Sequence, residues 1–263
     1  MERLLGPDGC PWDREQTFES LKSYLLEEAH EVIEAIDSGD RQHHVEELGD
    51  LLFQVVFQAE LGRTQERFAI DEVIGAIRDK LVRRHPHIFG DAKVKDAAEQ
   101  VRVWEKIKAA ERAGKGQRGG ALEGVPRGLP ALQRAWRLGE KAGAVGFDWT
   151  SSHAVLEKVR EELGELVNAK SPEDVKSEMG DLLFALAQLS RHLGFDPEDA
   201  LRRANDKFRA RFEYIEQRLR AEGSAPAQAG MDRLEALWQE AKFSGAGGTS
   251  PPAGEAPPRE EGP

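Results

Sequence analysis

The carboxylates of this chain fall into pairs whose spacing could hold a cation. Glu28 and Glu31, Glu47 and Asp50, Glu162 and Glu165, and Glu178 and Asp181 are each three residues apart. On a helix, positions i and i+3 share a face, with Cβ atoms about 5–6 Å apart. Like charges at that spacing repel by a few tenths of a kcal/mol, so a solvated acidic face is the plain reading of any single pair. Two features favour a cation instead. Glu28 sits in an apolar stripe, with Leu25 three residues before it and Val32 four after. Glu162 sits the same way between Val159 and Leu166. An unpaired carboxylate on a core-facing stripe costs several kcal/mol while ionised. Each Glu-x-x-Asp is also fused to a Leu-Leu-Phe run, at Glu47–Phe53 and Glu178–Phe184. Four carboxylates from two packed helices need a counter-charge. All-oxygen donors without His or Cys suit Mg2+, with Mn2+ as a substitute. Mg2+ commonly keeps waters and is completed by substrate phosphates.

Cations stand in a matching pattern. Lys80 with Arg84, and Lys207 with Arg211, are i, i+4 pairs on one helix face. They are either ordinary solvated residues or donors to phosphate oxygens. Trp238 either caps the core or stacks on a base. Gly49 and Gly180 would let helices approach closely at the site, or are merely tolerated in a helix. His85-Pro86-His87 reads as a turn.

These residues recur in order. Glu27-Glu28-x-x-Glu31 matches Glu161-Glu162-x-x-Glu165, and Glu47-Leu-Gly-Asp50-Leu-Leu-Phe53 matches Glu178-Met-Gly-Asp181-Leu-Leu-Phe184. Asp79-Lys80-x-x-x-Arg84 then matches Asp206-Lys207-x-x-x-Arg211, and Trp104-x-x-x-Lys108 matches Trp238-x-x-x-Lys242. Four ordered blocks make an internal duplication, in which each half tests the other.

The elements that would position these residues are helices. Apolar residues fall at helical spacing from Ser20 to about Glu60, broken at the stop signal Ser38-Gly39-Asp40. Further helices are expected over Ile70–Arg84, Ala97–Ala113, Ala131–Lys141, Val155–Ala169, Val175–Leu193, Pro197–Ala221 and Met231–Phe243. No run alternates with period two, so the expected class is all-α. The expected organisation is two tandem four-helix units, at 1–113 and 131–243. Between them lies a Gly/Pro-rich linker at 114–130, and a disordered tail follows at 244–263.

Composition narrows the function classes. A formal net charge of −11 repels nucleic-acid backbone and anionic membrane, so neither is expected as a partner. A small anionic substrate stays possible if a cation bridges it to the carboxylates. The single cysteine, Cys10, permits no internal disulfide and no thiolate metal cluster. The N-terminus lacks the basic and apolar regions of a signal peptide, and no stretch is long and apolar enough to span a bilayer. Cytoplasmic residence is the expectation by exclusion.

On these motifs the chain resembles the MazG family. The marks are the duplicated EExxE and ExxD blocks and Cys10-Pro11-Trp12-Asp13. Arg83-Arg84-His85-Pro86-His87-Ile88-Phe89 and Val145-Gly146-Phe147-Asp148-Trp149 fit as well. The resemblance covers about residues 4–243. It implies an all-α, magnesium-dependent nucleoside triphosphate pyrophosphohydrolase that cuts between the α- and β-phosphates, releasing the monophosphate and pyrophosphate. It also implies a homodimer whose C-terminal unit is the main catalytic one. By motif, Glu162, Glu165, Glu178 and Asp181 would bind the metal, and Glu28, Glu31, Glu47 and Asp50 would be their N-terminal counterparts. Lys207 and Arg211 would hold phosphates and stabilise the leaving group. Lys158 and Glu161 would line the nucleotide site, with Glu161 a candidate general base, and Trp238 would contact the nucleotide.

Two other readings compete. A di-iron bundle needs Glu-x-x-His on paired helices; Glu27-x-x-His30 matches once, but Gly164 stands at the equivalent position of the second half. A non-catalytic dimerisation or regulatory module would keep the bundle and need no intact carboxylate quartet.

Overall fold

The chain is described by a computed structural model covering residues 1–96, 99–100, 103–104, 107–108, 110–111 and 120–246. The first part of the expected linker (114–119) and most of the expected tail (247–263) lie outside the described residues. So do several positions of the helix expected over Ala97–Ala113, although Trp104, Lys108 and Glu111 are helical. Residues 120–130 form turns without helix.

The described elements are helical throughout, with no strand among the described residues. They group into two compact units, Met1–Lys115 and Gly116–Ser250. The first holds α1 (Glu2–Leu5), α2 (Pro11–Arg14), α3 (Leu21–Ser38), α4 (Arg41–Thr64), α5 (Ile70–Arg84) and α6 (Pro86–Phe89). The second holds α7 (Ala131–Gly143), α8 (Ser152–Asn168), α9 (Pro172–Leu193), α10 (Pro197–Ala221), a 3₁₀ turn at Pro226–Gln228, and α11 (Gly230–Phe243).

Each unit is built around an acidic helical hairpin. In the first, α3 stops at Gly39, whose φ of 70° is left-handed, a conformation glycine adopts without penalty. Asp40 then caps α4, its carboxylate accepting from the backbone N–H groups of Gln42 and His43. A two-residue connection leaves α3 and α4 packed as antiparallel neighbours. In the second, Ser151 caps α8, Ser171 caps α9, and Pro172 occupies the first helical position. Its ring fixes φ for the helix and lacks an N–H that would find no partner there. α9 packs on both α8 and α7, and α10 packs on α7 and α11.

The cores are small and local. Leu21, Phe57 and Leu61 are buried together in the first unit, with Phe18 and Tyr24 against them. Ile215, Leu219 and Leu237 form the corresponding cluster between α10 and α11, with Leu234 and Trp238 against it. A buried polar strut binds α7 to α9: fully buried Gln188 donates through Nε2 to the Ala135 carbonyl at 2.7 Å. Its Oε1 accepts from Arg191 Nε at 2.9 Å.

One expectation about local structure changes, and one pair of alternatives is decided. His85-Pro86-His87 is the entrance to the one-turn helix α6 rather than a bare turn, because proline is favoured at a first helical position. Gly49 and Gly180 face open space within the chain, since a Cβ at either would meet nothing within 4 Å. The close approaches occur elsewhere: a Cβ on Gly139 would lie 1.6 Å from Gln188 Oε1.

Candidate metal and nucleotide site

The hairpin geometry brings Glu162 and Glu178 to one height. Glu162 lies six residues before the end of α8 at Asn168, and Glu178 six residues after the start of α9 at Pro172. At 1.5 Å rise per residue, both are about 9 Å from the bend. Ligand oxygens of Glu162, Glu165 and Glu178 lie within 4.8 Å of one another. Asp181, one turn along α9, is close enough to act on Glu178 electrostatically. Glu178 is held above the ordinary carboxylate range, first by desolvation, then by the charges of Glu165, Asp181 and Glu162. A raised carboxyl among carboxylates marks a cluster short of positive charge.

The N-terminal hairpin repeats the arrangement with different neighbours. Glu28, Glu47 and Asp50 also place ligand oxygens within 4.8 Å of one another. Glu31 joins them electrostatically and is raised by desolvation, then by Glu47, Glu28 and Glu27. Gln54, 5% exposed, donates to Glu28 Oε1 at 3.3 Å. His43 Nε2 lies 3.2 Å from Glu47. Both clusters offer only hard oxygen donors at the core of the set, which fits a magnesium-like cation. Glu27 and His30 are both exposed, and neither belongs to a ligand cluster among the described residues.

The two copies bury this carboxylate to different extents. Glu162 is 6% exposed, whereas Glu28 is half-buried. Nor is Glu162 unpaired: Lys158 Nζ lies 2.7 Å from it and 2.8 Å from Glu161. Hydrogen bonds to Glu161 and then Glu162 hold the Lys158 ammonium well above the usual lysine range. The spacing i, i+4 for Lys158–Glu162 was present in the sequence and supplies the missing counter-charge. The register that pairs Glu27 with Glu161 places Tyr24 opposite Lys158.

Lys207, Arg211 and Trp238 form a second group on α10 and α11. The Arg211 guanidinium lies 5.6 Å from the centroid of the Trp238 ring, while its Nε is buried without an acceptor. Phe208 packs against Trp238 at 5.2 Å between centroids and stacks on Phe212. Lys207 is exposed. No ion pair joins Lys207 or Arg211 to the four carboxylates among the described residues. The N-terminal counterpart is occupied differently: Arg84 Nη2 lies 2.6 Å from Glu111 Oε2, and Arg83 Nε 2.6 Å from Glu111 Oε1.

Sequence reasoning passed over the anchor of the loop before α8. Asp148 bonds Arg191 through both oxygens, at 2.9 and 2.5 Å, and lies 2.9 Å from His192 Nε2. The Arg191 hydrogen bond chiefly holds the Asp148 carboxyl down at about 2. The signal available was a lone Asp in Gly-Phe-Asp-Trp and an Arg-His pair 43 and 44 residues later, with nothing local to link them.

Comparison with known proteins agrees with the duplication. The model of the MazG nucleotide pyrophosphohydrolase domain matches residues 16–89 and again 150–215. Each match contains one carboxylate hairpin and one Lys/Arg pair. A Thermotoga maritima protein named nucleoside triphosphate pyrophosphohydrolase/pyrophosphatase MazG is 45% identical over 243 residues, covering 92% of each chain. The Escherichia coli K12 nucleoside triphosphate pyrophosphohydrolase is 44% identical over 248 residues, covering 92% of this chain and 94% of its own. A Bacillus subtilis protein called uncharacterized protein YabN is 45% identical over 246 residues, half of its own length. With two domain matches and such identity along nearly the whole chain, this protein belongs to the MazG family of nucleotide pyrophosphohydrolases.

Proposed function

We infer that the chain is a nucleoside triphosphate pyrophosphohydrolase whose catalysis resides in the C-terminal unit, residues 131–243. The observation that carries this assignment is the cluster of Glu162, Glu165 and Glu178 on the α8–α9 hairpin, with Lys158 paired to Glu162 and Glu161. The 1–113 unit has a comparable carboxylate set but Tyr24 in place of Lys158. Glu162, Glu165, Glu178 and Asp181 would hold Mg2+ or Mn2+, and Glu28, Glu31, Glu47 and Asp50 are the corresponding N-terminal ligands. When bound, a divalent cation supplies charge neutralisation for the triphosphate and acidifies a bound water.

The chain's own groups account for the rest. Lys207 and the unsatisfied Nε–H of Arg211 donate to phosphate oxygens. Trp238 offers a ring face to the nucleotide beside Arg211. Lys158 orients Glu161 and Glu162 through its two ion pairs. Glu161, exposed and next to a ligand, takes the proton of the attacking water. The water oxygen bonds to the α-phosphorus, the bond to the α–β bridging oxygen breaks, and pyrophosphate leaves. Lys207 and Arg211 stabilise the charge that develops on it.

The assembly we propose is a homodimer. Leu48, Leu52 and Val55 on α4 are exposed on one face, and so are Met179, Leu183 and Leu186 at the repeated positions on α9. Apolar faces of this extent mark association surfaces. No described helix is long and apolar enough to cross a membrane, and cytoplasmic residence is part of this proposal.

Glu162→Gln and Asp181→Asn each remove a ligand charge with little change in shape. Each is expected to lower pyrophosphate release from a nucleoside triphosphate with Mg2+ by at least about 100-fold, given the scale of such electrostatic terms. Wild-type rates in both variants would remove the C-terminal assignment. A cation-binding module without turnover would instead show metal uptake and no pyrophosphate from any nucleotide.

A further inference from the structure

The two copies differ at the cation that the functional reading assigns to phosphate. In the C-terminal copy Arg211 has a buried Nε without an acceptor. In the N-terminal copy Arg84, at the repeated position, is already satisfied. Its Nη2 reaches Glu111 Oε2 at 2.6 Å and its Nε reaches Oε1 at 3.4 Å, the two-pronged geometry a phosphate would otherwise receive. Arg83 binds the same carboxylate at 2.6 Å. The contact is largely sheltered, with Arg84 and Glu111 side chains 23% and 17% exposed. The backbone carbonyl of Arg84 also accepts from Trp104 Nε1 at 2.8 Å, so the residue is pinned at both ends.

The carboxylate of the latch and its second arginine do not recur in the other copy. The register that pairs Lys80 with Lys207 places Ala210 opposite Arg83. The register that pairs Trp104 with Trp238 places Gly245 opposite Glu111. Two changes, one on each side of the contact, therefore separate a clamped arginine from one whose Nε has no acceptor.

We propose that Glu111 is an internal phosphate mimic that latches the N-terminal copy. It holds Arg84 in the contact a phosphate group would make, and so withholds a second polyphosphate-binding site in the unit that carries the Glu28–Glu47–Asp50 cluster. This rests on the reading of Lys207 and Arg211 as phosphate donors, and extends it to Lys80 and Arg84. An incoming phosphate must displace a carboxylate that two guanidinium groups already stabilise. Neutralising that carboxylate frees both, and the site then takes a pyrophosphate with its magnesium.

The test is calorimetric titration of the full chain with inorganic pyrophosphate in excess Mg2+. Glu111→Gln is expected to add one binding event per chain to the parent's number, and Glu111→Gln with Arg84→Ala to remove it again. No added event in a variant that keeps the parent's helix content, or an added event that survives Arg84→Ala, overturns the proposal. Should Glu111→Gln fail to fold, Arg83→Ala with Glu111→Gly installs the residues of the C-terminal copy and is held to the same outcome. Arg211→Ala in the parent reports separately on the functional reading. It is expected to remove the C-terminal event whether or not the latch exists.

Discussion

At the residue scale, chemistry depends on which charges find partners. The carboxylate quartets stand out in the sequence because i, i+3 spacing and the apolar stripe are local properties. The partners were less legible. Lys158 lies one turn from Glu162 and could have been paired with it on spacing alone. Asp148 could not, because Arg191 and His192 reach it only through the fold. Its carboxyl, ordinarily near 3.8, sits at about 2. The folded value is lowered, so the stabilisation is fully present above about pH 4 and is lost as pH falls through about 2. A shift of that size corresponds to about 2 kcal/mol. Asp148→Asn is thus expected to cost about 2 kcal/mol near neutral pH. The gap from the parent should close as the pH drops below about 4, which chemical denaturation followed by circular dichroism at several pH values would measure. A gap that stays constant down to pH 2 would rule out ionisation as its source.

At the element scale, helix ends and short connections set the height of each cluster. The stop at Ser38-Gly39-Asp40 is read from the sequence, whereas the starts expected at Val155 and Val175 miss the caps at Ser151 and Ser171; α5 and α10 begin and end where periodicity and proline place them. The glycines were not readable in the same way. Gly49 and Gly180 sit within the acidic motifs yet face open space, while Gly139, in no motif, gives up its side-chain volume to Gln188. Sequence records that a residue is small, not what lies beyond it. Gly139→Ala is expected to displace Gln188 from Ala135 and Arg191 and to destabilise the chain by roughly 1–3 kcal/mol. The urea midpoint measures this, and an unchanged midpoint would mean that the α7–α9 contact is looser than its geometry.

At the scale of the whole molecule, duplication and asymmetry coexist. The same outward stripe recurs in both units, at Leu48, Leu52 and Val55 and at Met179, Leu183 and Leu186. Periodicity finds an apolar face but not whether it is covered within the chain or by another molecule. If a second copy covers it, light scattering will give a particle of twice the 29.2 kDa chain mass. Leu183→Glu with Leu186→Glu is then expected to return it to a single chain, since burying two such charges in an apolar interface is prohibitive. A parent that already runs as one chain would dispose of the dimer.

By itself, the sequence determined the all-α class, the duplication, the paired carboxylates and, through its motifs, the family. These are encoded by spacing along one helix or by recurrence, both of which survive without a third dimension. Only the tertiary structure decided that Glu162 is buried, that Asp148 anchors on Arg191, and that Arg84 is spent on Glu111 while Arg211 is not. The pairings of Asp148 and Arg84 turn on side chains that meet across 27 or more residues. At such range the identity of a residue says what it can bond, and packing alone says whether it does.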